Sequence, residues 1–90
     1  MTEITQALTD AGWTPSADGK AIEKQFRFAS FRAAIGWMVR AAFEAEAMDH
    51  HPEWFNVWNK VVVDLNTHSA GGITELDFEL ASRMNRLADS

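Results

Sequence analysis

The stretch "FNVWNKVVVDLNTH" (residues 55–68) decides the fold. Val61, Val63 and Leu65 fall on one face of an extended chain and Val62, Asp64 and Asn66 on the other, the period-two pattern of a half-buried strand. The asparagines of "FNVWN" suit a turn back to a short strand at 54–57, so this region reads as a β-hairpin.

Working outward, the pattern changes period on both sides. Upstream, Ser30 is a good N-cap for "FRAAIGWMVRAAFEAEAMD" (31–49), and Pro52 forces the chain out of helix at or before His51. That predicts a helix of about five turns, on the order of 30 Å long. Phe31, Ile35, Met38, Ala42 and Ala45 form one apolar stripe while Trp37, Val39 and Phe43 lie off it. A small domain seldom covers two apolar helix faces by itself, so a partner subunit is expected over one of them. Downstream, "SAGG" (69–72) is a loop, and "TELD" (74–77) resembles a capping box opening a last helix with Leu76, Leu80, Met84 and Leu87.

Further back, "WTPSADGKAIEKQFRF" (13–28) reads as a first hairpin: Asp18-Gly19 is a turn signal, and Ile22, Phe26 and Phe28 alternate with Glu23, Gln25 and Arg27. Ile4, Ala7, Leu8 and Ala11 have helical spacing, with Thr2 as candidate cap and Gly12 as closure. Two hairpins with one apolar face each most simply merge into one sheet. The expected fold is therefore α+β, two layers, with a four-stranded antiparallel sheet covered on one face by helices in the order α-β-β-α-β-β-α, as a single domain over 1–90.

Composition narrows the function classes. The 90 residues carry 8 Lys+Arg against 13 Asp+Glu, a formal net charge of −5, so the basic surface that drives binding to nucleic-acid phosphates is lacking and direct nucleic-acid binding is not expected. There is no cysteine, hence no thiolate metal site. The start "MTEITQALTD" has no signal-peptide pattern and no apolar run suits a membrane span, making the cytoplasm the expected address.

Two of the three histidines stand side by side in "MDHHPEW" (48–54). In a regular last turn, Glu46 and His50 share a helix face and the carboxylate can hold the imidazole. His51, pushed toward extended backbone by Pro52, must aim elsewhere. His68 ends the strand beside a Gly-rich loop, where a scaffold can offer a side chain to a ligand. Two imidazoles flanking a substrate suit a reaction that needs an acid and a base near neutral pH. Trp13, Trp37 and Trp58 read as core or interface, and Trp54 as core or pocket wall. Asp77 belongs to the Thr74 capping box or, alternatively, orients His68 or shapes a pocket. Asp49, His50, His51 and His68 are metal-ligand types, but adjacent side chains diverge and no H-E-x-x-H spacing occurs, so no metal is expected.

The segment "AEAMDHHPEWFNVWNKVVVDLNTHSAGGITELDFELA" resembles the pterin-4a-carbinolamine dehydratases. Their signature is an acidic residue, three intervening residues, His-His-Pro, an aromatic, a histidine after the strand and an aspartate in the next helix. Here these are Glu46, His50-His51-Pro52, Trp54 or Trp58, His68 and Asp77, and the resemblance covers about residues 12–82. It implies the same α+β fold, assembling as a homodimer or homotetramer through the long helix 30–49. It also implies dehydration of 4a-hydroxytetrahydrobiopterin to quinonoid dihydrobiopterin, in tetrahydrobiopterin recycling, with no cofactor and no metal. On this resemblance His50 and His68 are the acid/base pair, His51 holds the substrate and its leaving hydroxyl, and Glu46 orients His50. Asp49, Pro52, Asn66, Thr67, Ser69 and Asp77 surround the pterin, and Trp54 helps wall the pocket. Two alternatives stand beside this reading: a dimerisation cofactor for a transcription factor, as some animal members are, or action on another pterin, for example in molybdenum cofactor metabolism.

Overall fold

A computed structural model of the chain describes residues 4–89. Helix α1 (Gln6–Asp10) is capped by the Thr5 hydroxyl, which accepts from the Leu8 N–H. The suggested cap Thr2 lies outside the described residues. Strands β1 (Thr14–Pro15) and β2 (Ile22–Arg27) form the first hairpin, with Gly19 at φ +74° in its turn. Ser30 caps helix α2 (Phe31–Met48) by accepting from the Ala33 N–H, and strands β3 (Glu53–Val57) and β4 (Lys60–Leu65) follow. A 3₁₀ turn (His68–Ala70) leads into α3 (Glu75–Ala88).

The strands make one antiparallel sheet in the order β1-β2-β4-β3. Alternation works as the sequence predicts. Ile22, Phe26, Val61, Val63 and Leu65 are buried under the helices, while Glu23, Gln25, Phe55 and Val57 are exposed on the other face. The expected architecture, a four-stranded sheet with helices on one side, is the one found.

Two stripes differ from expectation. The face of α2 that enters the core is Ala34, Trp37, Ala41 and Ala45, whereas Phe31, Ile35, Val39 and Phe43 stay exposed, Phe43 at 72%. The three alanines let the helix approach the sheet closely enough to seat the Trp37 indole beside Phe26, ring centroids 4.4 Å apart, and Trp37 Nε1 donates to the Met84 carbonyl at 3.1 Å. In α3 the core side is Phe78, Leu80, Ala81 and Met84, and Leu76 is exposed. No helix among the described residues is long and apolar enough to cross a membrane.

Candidate active site

The end of α2 decides where the histidine pair points. Asp49 takes the left-handed conformation (φ 51°, ψ 41°), and the His50 N–H reaches back five residues to the Ala45 carbonyl at 3.0 Å, a Schellman-type closure. That turn swings His50 off the helix face before it can meet Glu46. Its ring goes inward instead, with the residue only 8% exposed, and Nε2 lies 2.6 Å from Asp77 Oδ1. Glu46 pairs with His51, Oε1 to Nε2 at 2.8 Å, on the surface. The expected Glu46–His50 contact is therefore replaced by Glu46–His51 and Asp77–His50.

Asp77 is fully buried and does more than cap α3. Its Oδ2 accepts the Thr74 N–H at 2.9 Å, completing the capping box, and the Thr67 hydroxyl at 2.9 Å. The Thr67 and Thr74 hydroxyl oxygens are themselves 2.7 Å apart. As a carboxylate, Asp77 only accepts, so all three neighbours donate to it and His50 must present its Nε2–H. Nδ1 is then the ring nitrogen left for other chemistry.

His68, at the head of the 3₁₀ turn, is exposed, and its Nε2 lies 2.9 Å from Glu53 Oε1. Each histidine thus meets one carboxylate through Nε2. The contacts also close a circuit: His50 to Asp77 to Thr67, one peptide bond on to His68, across to Glu53, and back along Pro52 and His51 to His50. All three imidazoles consequently sit at one end of the molecule.

Beside His68 is an open cleft of about 400 Å³, walled by Glu53, Asp64, Asn66 and the first hairpin's Ser16, Asp18 and Lys20. The Lys20 backbone N–H and the Ser16 hydroxyl hold the Asp18 carboxyl below its ordinary range. Across the sheet, Glu23, Asp64 and Glu53 stand in register in one row, and hydrogen bonding to the Asp64 side chain, followed by burial, raises Glu23.

His50, His51 and Trp54 do not line this cleft. Trp54 is partly buried against the core, its ring centroid 6.2 Å from that of Trp37. Thr67 and Ser69 line a separate, larger cavity of about 820 Å³ between α1 and α3, so Asn66 and Ser69 open on different spaces. Trp58, at the tip of the second hairpin, is 68% exposed, whereas Trp13 and Trp37 are core. Among the described residues no three His, Cys, Asp or Glu side chains come together as a metal-ligand set. Glu53 and the first hairpin are site elements that the linear pattern passed over. Glu53 could have been found by counting from Pro52, since alternation puts it opposite Trp54 on the outer sheet face.

The family model for pterin 4 alpha carbinolamine dehydratase matches residues 1–87, and the chain belongs to that family. It is 51% identical over 88 residues to a Rhizobium johnstonii protein named "Putative pterin-4-alpha-carbinolamine dehydratase", covering 97% of this chain and 87% of that one. A Sinorhizobium medicae protein of the same name is 55% identical over 78 residues, 87% of this chain and 74% of the other. Among solved structures, a Brucella melitensis protein described as a transcriptional coactivator/pterin dehydratase superposes with a TM-score of 0.85 at 43% identity, over 97% of this chain and 99% of that one. A pterin dehydratase-like protein described as a RuBisCO assembly factor of the alpha-carboxysome has a TM-score of 0.75 at 21% identity, over 88% and 92% of the two chains, a likeness of fold.

Proposed function

We propose that this protein dehydrates 4a-hydroxytetrahydrobiopterin to quinonoid dihydrobiopterin and water by histidine acid/base catalysis, in tetrahydrobiopterin recycling. Family membership supports the reaction class. The observation that carries the mechanism is the pairing of His50 and His68, each through Nε2, with its own carboxylate at one end of the fold. Losing water from a carbinolamine requires cleavage of the C4a–O bond as the hydroxyl takes up a proton, and loss of the N5 proton as the N5=C4a double bond forms. One imidazolium and one neutral imidazole supply and remove these protons, and the protein ends with its proton count unchanged. His68, exposed beside the cleft, is one of the pair. By resemblance to the family, His50, held by Asp77 and not itself lining that cleft, is the other. His51, exposed and paired with Glu46, holds the departing hydroxyl, and Asn66, which lines the cleft, offers its amide to the polar edge of the pterin.

The exposed stripe Phe31, Ile35, Val39 and Phe43 supports a second proposal, that two copies of the chain pack through α2 as a homodimer or as part of a homotetramer. The same stripe is the surface a protein-binding role would use; the Brucella melitensis relative is described as a transcriptional coactivator/pterin dehydratase.

The test is stopped-flow absorbance of chemically generated 4a-hydroxytetrahydropterin. Acceleration by the protein, reduced about 10²-fold or more in His68→Ala, is the expected result. A well-folded protein that leaves the spontaneous rate unchanged overturns the assignment.

A further inference from the structure

We propose that Glu53 is a positioning residue that sets His68 for proton transfer, an inference that rests on His68 acting in the dehydration. The contact itself is short, Glu53 Oε1 to His68 Nε2 at 2.9 Å, and both residues line the same cleft. Backbone geometry puts them together. Glu53 opens β3 directly after Pro52, and its register partner is Asp64, two residues before Asn66 and four before His68. Because Trp54 turns in toward the core, Glu53 stands on the outer sheet face, where the chain leaving β4 brings His68 back across it. The Asn66 amide nitrogen bridges the two carboxylates, 3.4 Å from Asp64 Oδ1 and 3.5 Å from Glu53 Oε1.

A carboxylate on Nε2 does two things for an imidazole. It accepts the Nε2–H, so that Nδ1 is the nitrogen presented to a ligand, and its charge stabilises the imidazolium formed whenever His68 holds the substrate proton. Glu53 gains and loses no proton in this role; the proton passes between His68 Nδ1 and the pterin. Asp77 does the same for His50 from inside the fold, but the Glu53 pair is exposed on both sides. In water such a pair contributes little to stability. Once a pterin covers the cleft and excludes solvent, the local dielectric falls and the same contact strengthens, so its effect is felt in turnover more than in folding.

The test is a double-mutant cycle on the full chain, with Glu53→Ala, His68→Ala, the double variant and Glu53→Gln in the stopped-flow assay. In parallel, ¹⁵N spectra of the histidine rings are recorded. If Glu53 works through His68, Glu53→Ala lowers kcat about tenfold with KM changed less than about twofold, and has no further effect when His68 is already alanine. Glu53→Gln, which keeps an acceptor oxygen without the charge, falls between. The His68 ring signals move in Glu53→Ala while those of His50 stay. Additive losses in the cycle, or a full kcat in Glu53→Ala, overturn the proposal. If the unmodified protein shows no acceleration, the dehydratase reading fails, and the ring spectra alone decide this contact: unmoved His68 signals overturn it.

Discussion

His50 Nε2 and Asp77 Oδ1 lie 2.6 Å apart although 27 residues separate them, and both side chains are buried. The contact ties the turn that closes α2 to the first turn of α3, so the carboxylate that holds the imidazole also caps α3. Fold and site share one carboxylate.

Replacing that carboxylate separates its two roles. Asp77→Ala leaves the Thr74 N–H, the Thr67 hydroxyl and the His50 Nε2–H without their acceptor, and a loss of about 2–4 kcal/mol is expected in chemical denaturation. Asp77→Asn keeps the shape, but either orientation of the amide sets an N–H against one of the donors. Its stability loss is expected to be smaller, while the dehydration rate falls at least tenfold because His50 loses its charge partner. Denaturation curves and rates for the two variants check this order.

Glu46 meets His51 on the surface, with the two side chains 77% and 57% exposed. Glu46→Ala is therefore expected to change stability by less than about 0.5 kcal/mol. Any loss of rate should be absent when His51 is already alanine. A loss that persists there and disappears with His50→Ala instead would restore the Glu46–His50 pairing that the linear spacing suggests.

Phe43 is 72% exposed and Val39 51%, one turn apart on α2. Phe43→Glu and Val39→Glu place a charge on the proposed self-association surface without touching the core. Sedimentation is expected to show the unmodified chain as a dimer or larger and the variants shifted to monomer; monomers throughout would remove the long-helix assembly.

Glu23 is raised from its ordinary value of 4.5 by the Asp64 side chain. A raised carboxyl means that the folded chain holds the proton more tightly than the unfolded chain. Its stabilising contribution is complete below the ordinary Glu range and is lost as pH rises through the folded value, where two carboxylates then face each other across the strands. Glu23→Gln removes that repulsion. Because the pair is largely exposed, the variant should be more stable than the parent by only about 0.5 kcal/mol at pH 7, with the difference vanishing near pH 4. Melting curves at the two pH values test it.

Local order alone was enough for the elements. Ser30, Thr74 with Asp77, Asp18-Gly19 and the alternation in "KVVVDL" each carry a short-range cause of structure, and each element they predict is present. The exposed stripe was less legible. Helix α2 is apolar around most of its girth, so periodicity could not choose between Trp37 and Phe43 as the buried side. The small alanines at 34, 41 and 45 chose it by letting the sheet come close. In the last helix Leu76, expected on the apolar stripe, is exposed, while Phe78 is buried.

The site divides along the same line. The sequence by itself determined which residue types stand at the two histidine positions, that the chain must leave helix before Pro52, and that an aspartate follows Thr74 by three, because these depend on neighbours within one turn or strand. Only the tertiary structure decided which carboxylate meets which imidazole. One left-handed residue, Asp49, rotates His50 from Glu46 to Asp77, and the return of the chain after β4 sets His68 on Glu53; such pairings depend on where separate elements cross, which no local spacing records.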